Sequence, residues 1–165
     1  MIVKLVLIAA AVMGAAAVTS LTLSWWVAPF FARGWSLMAP NVFALTGIVF
    51  PAWTLIAFAL GAFAGVAFRR TVPALAAAMA AWAGLAIVTA TVLRWRYQPA
   101  ITLNALGAGA AGIPGRSWVQ NYHEWVSYQP ESRFWHFQLI EGGWLLALAL
   151  LLGAATVWLV RRRAA

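Results

Sequence analysis

The chain has 165 residues, of which 65% are hydrophobic and 8% are charged. A soluble core of this size cannot hide so much apolar surface, which excludes a soluble globular domain. The formal net charge is +8, but the basic residues stand singly or at the ends of apolar runs. This placement indicates contact with lipid headgroups and argues against nucleic acid.

The residues that carry chemistry are scarce. The chain has no Cys, no Asp, three Glu and two His, so disulfides and thiolate metal sites are excluded and few acid–base groups remain. We therefore expect no enzyme, no catalytic residue, no metal site and no cofactor bound by this chain.

Apolar stretches of about 20 residues predict membrane spans, because the hydrocarbon core of a bilayer is about 30 Å thick. Four stretches without Lys or Arg qualify, at about 5–31, 43–68, 72–93 and 137–160. The first is too long for a secretory signal and ends in Trp25 and Trp26, so we interpret it as a retained span. The sequence predicts an all-α, multi-pass integral membrane protein with a single transmembrane domain, 1–165.

The second predicted span contains two features that bear on helix shape. Pro51 lies a third of the way along it and predicts a kink or hinge. Gly61 and Gly65 form a GxxxG pair, which permits close helix packing. The pair is also common by chance in a chain with 13 Gly.

A short connection, Arg69-Arg70-Thr71 followed by Pro73, joins the second span to the third. Thr71 is suited to cap the third helix, and Pro is tolerated in a first turn. The pattern predicts a sharp hairpin.

Residues 94–136 form the one sizeable segment outside the predicted spans. Its spacing of aromatic residues predicts a short amphipathic helix at about 117–128, with Trp118, Tyr122, Trp125 and Tyr128 on one face. Such a stripe either packs onto neighbours and the membrane interface or contacts a ligand directly.

Glu141 is the one ionisable residue predicted inside a span, about four residues into the fourth. Because a charge facing lipid is costly, it should face protein, water or a partner. Two interpretations stay open. Glu141 is either an interfacial residue bound by a local donor such as Gln138 or a loop Arg, or part of a polar pathway or gate.

The basic residues at the span ends predict the orientation. With a cytoplasmic N-terminus, six Lys and Arg lie inside and five lie outside, and the inner six sit closest to the spans. The positive-inside rule therefore predicts that both termini and the Arg69–Arg70 hairpin are cytoplasmic and that the 94–136 segment is extracellular.

Several blocks of sequence resemble the membrane (permease) subunits of bacterial ATP-binding-cassette exporters. The blocks occur in the order and spacing of that family, at 47–51, 58–65, 69–74, 128–135, 137–141 and 161–163. Such permeases usually have six spans, so the resemblance implies that this chain corresponds to the last four. It also implies a truncated, split or separately encoded subunit.

The resemblance implies partners and roles for particular residues. In such exporters two permease chains pair and two cytosolic ATPase subunits hold ATP and Mg. No GxxxxGK[ST] motif occurs in this chain, so ATP hydrolysis would belong to a partner polypeptide. The second permease chain would be identical or would supply the missing two spans. Arg69, Arg70, Thr71 and Pro73 would form the ATPase-coupling loop. Trp118, Tyr122, Trp125 and Glu141 would belong to an outer gate or polar pathway.

Three functions remain in competition at this point. The first is a permease component of an ATP-driven exporter in the cytoplasmic membrane that moves an unidentified, amphipathic substrate. The second is a non-transporting anchor or assembly protein that binds a partner through its outer segment. A membrane-embedded enzyme is the third, but its acid–base groups (His123, Glu124, Glu131, His136 and Glu141) have no spacing that argues for a shared site.

Overall fold

The structure is a computed structural model that describes residues 2–31, 36–68, 70–104, 119–122 and 125–164. Helices dominate this part of the chain. They are α1 (Ile2–Phe31), α2 (Pro40–Leu45), α3 (Val49–Phe68), α4 (Thr71–Val88), α5 (Arg94–Arg96) and α6 (Phe134–Ala164). A π-helix at Thr89–Leu93 joins α4 directly to α5, and a 3₁₀ turn at Glu131–Arg133 leads into α6.

Within the described residues, four helical segments are long and apolar enough to cross a membrane. They are Val6–Phe30, Val49–Phe68, Thr71–Arg96 and Glu131–Arg163. Most of their side chains are exposed in the isolated chain, as is typical of surfaces that face lipid. The prediction of a mostly helical protein with four helices able to span a membrane is confirmed.

The second span begins later than predicted, because the chain breaks at Gly47. The predicted start at 43 falls in the short helix α2, and the spanning helix α3 begins at Val49. Gly47 has φ +68°, a left-handed conformation that ends a helix readily when the residue has no Cβ. Pro51 then lies in the first turn of α3, where its missing N–H needs no partner. The predicted kink within the span was therefore wrong.

The spanning helices alternate in direction. Ser20 of α1 and Gln138 of α6 both contact the residues just before α3, whereas Arg163 of α6 donates to the carbonyl of Val66 near the end of α3. We call one end of the bundle the basic end, because it carries Lys4, Arg70 and Arg161–Arg163. The other is the sheet end, where the strands described next connect α5 to α6.

In the part of the chain that the structure describes, three short strands lie outside the spans. They are β1 (Ile101–Asn104), β2 (Val119–Tyr122) and β3 (Trp125–Tyr128), in an antiparallel sheet of order β1-β3-β2. In its register Ile101 and Val119 both lie opposite Tyr128. The helix predicted at 117–128 was therefore wrong over its described residues. Aromatic and β-branched side chains favour strands once a pairing partner exists, and that partner lies far away in the sequence at 101–104.

The hairpin between α3 and α4 is as short as predicted. Helix α3 ends at Phe68 and α4 begins at Thr71, with Pro73 in the first turn. The capping role predicted for Thr71 was wrong, since the N-cap residue is Arg70 and makes no side-chain cap hydrogen bond. The backbone of Arg70 is extended where it leads into α4.

The core lies where α3 packs against α6. One cluster joins Ile56 of α3 to Leu145 of α6, both fully buried. A second cluster near the sheet end joins Phe43, Val49 and Phe137. The core therefore holds α6 firmly against the start of α3.

Candidate functional site

A buried ion pair joins the end of the third span to the start of the fourth. Arg94 Nε donates to Glu141 Oε2 at 2.8 Å, and its Nη2 donates to Oε1 at 2.7 Å. Glu141 is fully buried and Arg94 is 9% exposed. Two parallel charge-assisted hydrogen bonds make this the geometry in which a guanidinium and a carboxylate hold each other most strongly.

Aromatic rings surround the pair. Trp53 Nε1 of α3 donates a third hydrogen bond to Glu141 Oε1 at 2.9 Å. The Arg94 guanidinium also lies 5.0 Å from the centre of the Phe43 ring, a cation–π contact. Both charges thus have polar or π partners, which burial in an apolar bundle requires.

Tyr97, which follows the third span, adds a further hydrogen bond to α6 near the ion pair. Its hydroxyl accepts a hydrogen bond from Trp144 Nε1 at 2.9 Å. Burial raises the pKa of Tyr97 to about 12, although the hydrogen bond from Trp144 acts in the opposite direction. The phenol therefore stays neutral at physiological pH and adds no charge near the ion pair.

The π-helix at Thr89–Leu93 sets the direction of Arg94. A π turn holds one residue more than an α turn, so residues beyond it are displaced by about 100° from the course of a continuous α-helix. The side chains of Thr89 and Thr91 donate to the carbonyls of Leu85 and Ile87 at 2.7 Å each. These hydroxyls satisfy carbonyl groups in the region where the helical pattern changes.

The break before α3 is held by the side-chain amide of Gln138. Its Oε1 accepts from the Val49 N–H at 2.9 Å, and its Nε2 donates to the carbonyls of Phe43 and Thr46 at 3.1 Å each. Backbone groups freed by a broken helix must find partners inside the protein at membrane depth. One fully buried glutamine from α6 supplies three of them.

Gly47 makes this arrangement possible. A Cβ at Gly47 would lie 2.7 Å from Gln138 Oε1, closer than any atoms of this kind approach. Ser20 of α1 donates to the Gly47 carbonyl at 2.8 Å. The break in the chain at Gly47 therefore connects α1, α3 and α6 at one point. We call this break and the Arg94–Glu141 ion pair together the joint.

Two side chains, Glu131 and Arg133, tie the surface of the sheet end to the start of α6 through three hydrogen bonds. Glu131 Oε1 accepts from the Leu37 N–H at 3.1 Å. Arg133 donates to the carbonyl of Pro99 at 2.6 Å and to Gln129 Oε1 at 2.9 Å. These contacts fix the segments before α2 and after α5 to the start of α6.

The predicted coupling residues lie together at the basic end. Arg70, Thr71 and Pro73 are all exposed there, whereas Arg69 lies outside the described residues. A Cβ added at Gly61 or Gly65 would meet nothing within 4 Å. In the described part of the chain the two glycines therefore line an open groove beside α4, and their predicted role in close helix packing stays a prediction.

The predicted outer residues do not form one group. Glu141 lies in the joint, while Trp125 on β3 is 54% exposed. Tyr122 lies on β2, and Trp118 lies outside the described residues. Glu141 is held by protein donors, and of the donors predicted for it the structure shows an Arg, Arg94, and not Gln138. Its predicted part in a polar pathway or gate stays a prediction.

The sequence argument missed Gln138 and Gly47 as structural residues and placed Arg94 in a loop. Signals for them were present. Gln138 is a lone amide inside an apolar run, and Arg94 follows an apolar run directly with Thr89 and Thr91 one turn before it.

Residues 1–94 match the family described as ABC-2 membrane transporter related. The chain belongs to this family. The match covers more than half of the chain and confirms the resemblance to the membrane subunits of ATP-binding-cassette transporters. The ABC-2-related region contains Gly47, Trp53 and Arg94, while Gln138 and Glu141 lie beyond it. No curated protein and no solved structure matches the chain.

Membership of the ABC-2-related family makes the four-helix bundle a membrane permease portion of the ATP-binding-cassette type. Membrane subunits of this family generally partner with a cytosolic ATPase. The two halves of the joint, one inside the matched region and one beyond it, belong to one packed unit.

Proposed function

We propose that this chain is a permease component of an ATP-binding-cassette exporter in the cytoplasmic membrane, driven by a separate ATPase subunit. The family match over residues 1–94 is the observation that carries the proposal. ATP and Mg would be held by the ATPase subunit, and the present chain would bind no cofactor and catalyse no reaction.

The distribution of basic residues supports a cytoplasmic basic end. Among the described residues, five basic side chains lie at the basic end and three at the sheet end: Lys4, Arg70, Arg161, Arg162 and Arg163 against Arg94, Arg96 and Arg133. Arg94 is buried in an ion pair, so it does not act as a loop charge. The count of six against five over the whole sequence thus becomes six against four, which favours the basic end on the cytoplasmic side.

The hairpin at the basic end is the proposed contact for the ATPase subunit. Arg70, Thr71 and Pro73 are exposed, and the neighbouring Val72 is 80% exposed. An apolar residue beside a cationic residue in a short turn suits a protein partner. Because α3 ends and α4 begins at this turn, a displacement of the turn moves both helices.

The joint lies at the other end of the same two helices. Helix α3 runs from the hairpin to Trp53 and Val49, a distance of about 30 Å for 20 residues. The third span runs from Thr71 to Arg94. A tilt of the hairpin would therefore move the ends of α3 and of the third span at the joint, where both contact α6.

The groove between α3 and α4 suits an amphipathic substrate. It has a volume of about 500 Å³ and is lined mainly by apolar and aromatic side chains, including Phe50, Trp53 and Trp82. Arg94 lies at one end of it. An amphipathic molecule with a large apolar part would match this lining, while the charge of Arg94 is already paired with Glu141.

The proposal is tested by purifying the tagged chain from its host in mild detergent and measuring the Mg-dependent ATP hydrolysis that accompanies it. Arg70→Glu should reduce this activity at least tenfold. Arg96→Glu, an equal change of charge at an exposed position of the sheet end, should leave it within twofold. Purification without any ATPase activity would contradict the proposal.

A second candidate is a non-transporting anchor that binds a partner through the sheet. The exposure of Trp125 on the central strand favours it, because exposed aromatic residues often anchor protein contacts. In that case Trp125→Ala would abolish partner binding and Arg70→Glu would have no effect, the reverse of the pattern expected for the exporter.

A further inference from the structure

The third span contains a π-helix directly before the buried ion pair. It covers Thr89–Leu93. At its start the Thr89 N–H bonds to the carbonyl of Leu85, four residues earlier, as in an α-helix. At its end the Arg94 N–H bonds to the carbonyl of Thr89, five residues earlier. The segment therefore holds one residue more than a regular α-helix would hold over the same length.

This irregular turn has a cost in an apolar span. π-helices are rare and short, and an unfavourable backbone persists where the surrounding contacts hold it. The change from four-residue to five-residue hydrogen bonds also leaves a carbonyl without a backbone donor, which lipid penalises. The hydroxyls of Thr89 and Thr91 donate to the carbonyls of Leu85 and Ile87 at 2.7 Å each. They lower the cost, and the contacts that the π-helix makes possible must offset the rest.

Two contacts with α6 depend on the direction that the π-helix gives to the chain. The Arg94 guanidinium binds the Glu141 carboxylate at 2.8 Å and 2.7 Å. One turn later the Tyr97 hydroxyl accepts from Trp144 Nε1 at 2.9 Å. If the segment became α-helical with the same number of residues, Arg94 and Tyr97 would turn by about 100° and leave both partners. The π-helix and these two contacts therefore form or break together.

We propose that Thr89–Leu93 is a two-state switch in the third span. In the closed state the segment is a π-helix and Arg94 binds Glu141. In the released state it is an α-helix, longer by about 1.5 Å, and Arg94 is turned away by about 100°. Release withdraws Arg94 from the end of the groove between α3 and α4. Displacement of the hairpin by an ATPase subunit would drive the change, which rests on the proposed function, but the switch itself needs no partner.

Pulsed electron paramagnetic resonance on the purified full-length chain tests the switch without an ATPase subunit. Because the chain contains no Cys, two introduced Cys carry the only spin labels. Leu150→Cys on the exposed side of α6 is the fixed position. Arg96→Cys reports on the chain after the π-helix, and Met79→Cys reports on α4 before it, both at exposed positions.

The double variant Arg94→Met with Glu141→Met removes the pair and leaves no unpaired charge. The distance between the labels at 96 and 150 should then change by at least about 3 Å, because a turn of about 100° moves a point about 5 Å from the helix axis by about 8 Å. The distance between 79 and 150 should stay within about 1 Å of the wild type, which also shows that the bundle is folded. Arg162→Met, the same substitution outside the joint, should change neither distance.

Deletion of Ala90 decides whether the π-helix is the moving part. A chain without the extra residue has nothing to release, so the double variant made in this background should keep the wild-type distance between 96 and 150. An unchanged distance in the double variant, a change that persists after the deletion, or an equal change at 79 would each overturn the proposal. Purification of the chain without ATPase activity would contradict the exporter and leave these distances unaffected, so the two failures are distinct.

Discussion

Arg94 and Glu141 hold each other through two hydrogen bonds, although 47 residues separate them in the sequence. The pair connects the end of the third span to the fourth. Because both side chains are buried in an apolar bundle, each charge depends on the other. This mutual dependence is what mutagenesis of the joint should reveal.

Removing either charge should destabilise the protein more than removing both. Arg94→Met leaves a buried carboxylate, and Glu141→Met leaves a buried guanidinium, so each should lower the free energy of unfolding by about 3 kcal/mol. The double variant Arg94→Met with Glu141→Met should lose less than either single variant. Denaturation in mixed micelles, followed by Trp fluorescence, measures these values.

The exposed Arg96 provides the control for this experiment. Arg96→Met should change the free energy of unfolding by less than about 0.5 kcal/mol. If the losses of the two single variants simply add in the double variant, the pair does not act as one unit and the description of the joint is wrong.

A deletion inside the π-helix should be tolerated better than a deletion inside α4. Removing Ala90 lets the segment return to an α-helix while the residues on either side keep their directions, so Arg94 still faces Glu141. Removing Ala81 instead turns every later residue of that span by about 100° and separates the pair. We expect the Ala81 deletion to cost at least about 3 kcal/mol more than the Ala90 deletion.

The same denaturation assay measures the free energy of unfolding of the two deletion variants. Ala90→Leu, which changes the side chain at this position but keeps the length of the helix, is the control. Equal stability of the two deletion variants would show that the π-helix does not set the direction of Arg94.

Gly47→Ala should disrupt the break before α3. The substitution puts a Cβ on a residue with φ +68° and 2.7 Å from Gln138 Oε1, so the amide must leave its three backbone partners. We expect a loss of at least about 2 kcal/mol. Gly84→Ala, in the middle of α4, should be neutral or stabilising by up to about 1 kcal/mol. A stable Gly47→Ala variant would mean that Gln138 does not secure the break.

The four spans could be predicted from sequence because lipid imposes a simple rule of length and hydropathy. The hairpin between α3 and α4 could be predicted equally well, since Pro73 and a short basic run indicate a turn within a few residues of sequence. The family was predicted from blocks such as 69–74, and the match over residues 1–94 confirms it.

The joint could not be predicted in the same way, because its parts are distant in sequence. Nothing local shows that Gln138 caps a break at Gly47, and the π-helix that directs Arg94 has no periodic signature. The sheet was missed for a similar reason. The spacing of aromatic residues at 118–128 fits a helix until β1 is known to lie beside β3.

The central claim is that the basic end faces the cytoplasm, with the hairpin open to an ATPase subunit. Since the chain contains no Cys, a single introduced Cys reports its side of the membrane without background. Thr102→Cys on β1 should react with a membrane-impermeant maleimide in intact cells, and Arg70→Cys should react after permeabilisation alone. Labelling of Arg70→Cys in intact cells, with Thr102→Cys protected, would contradict the account.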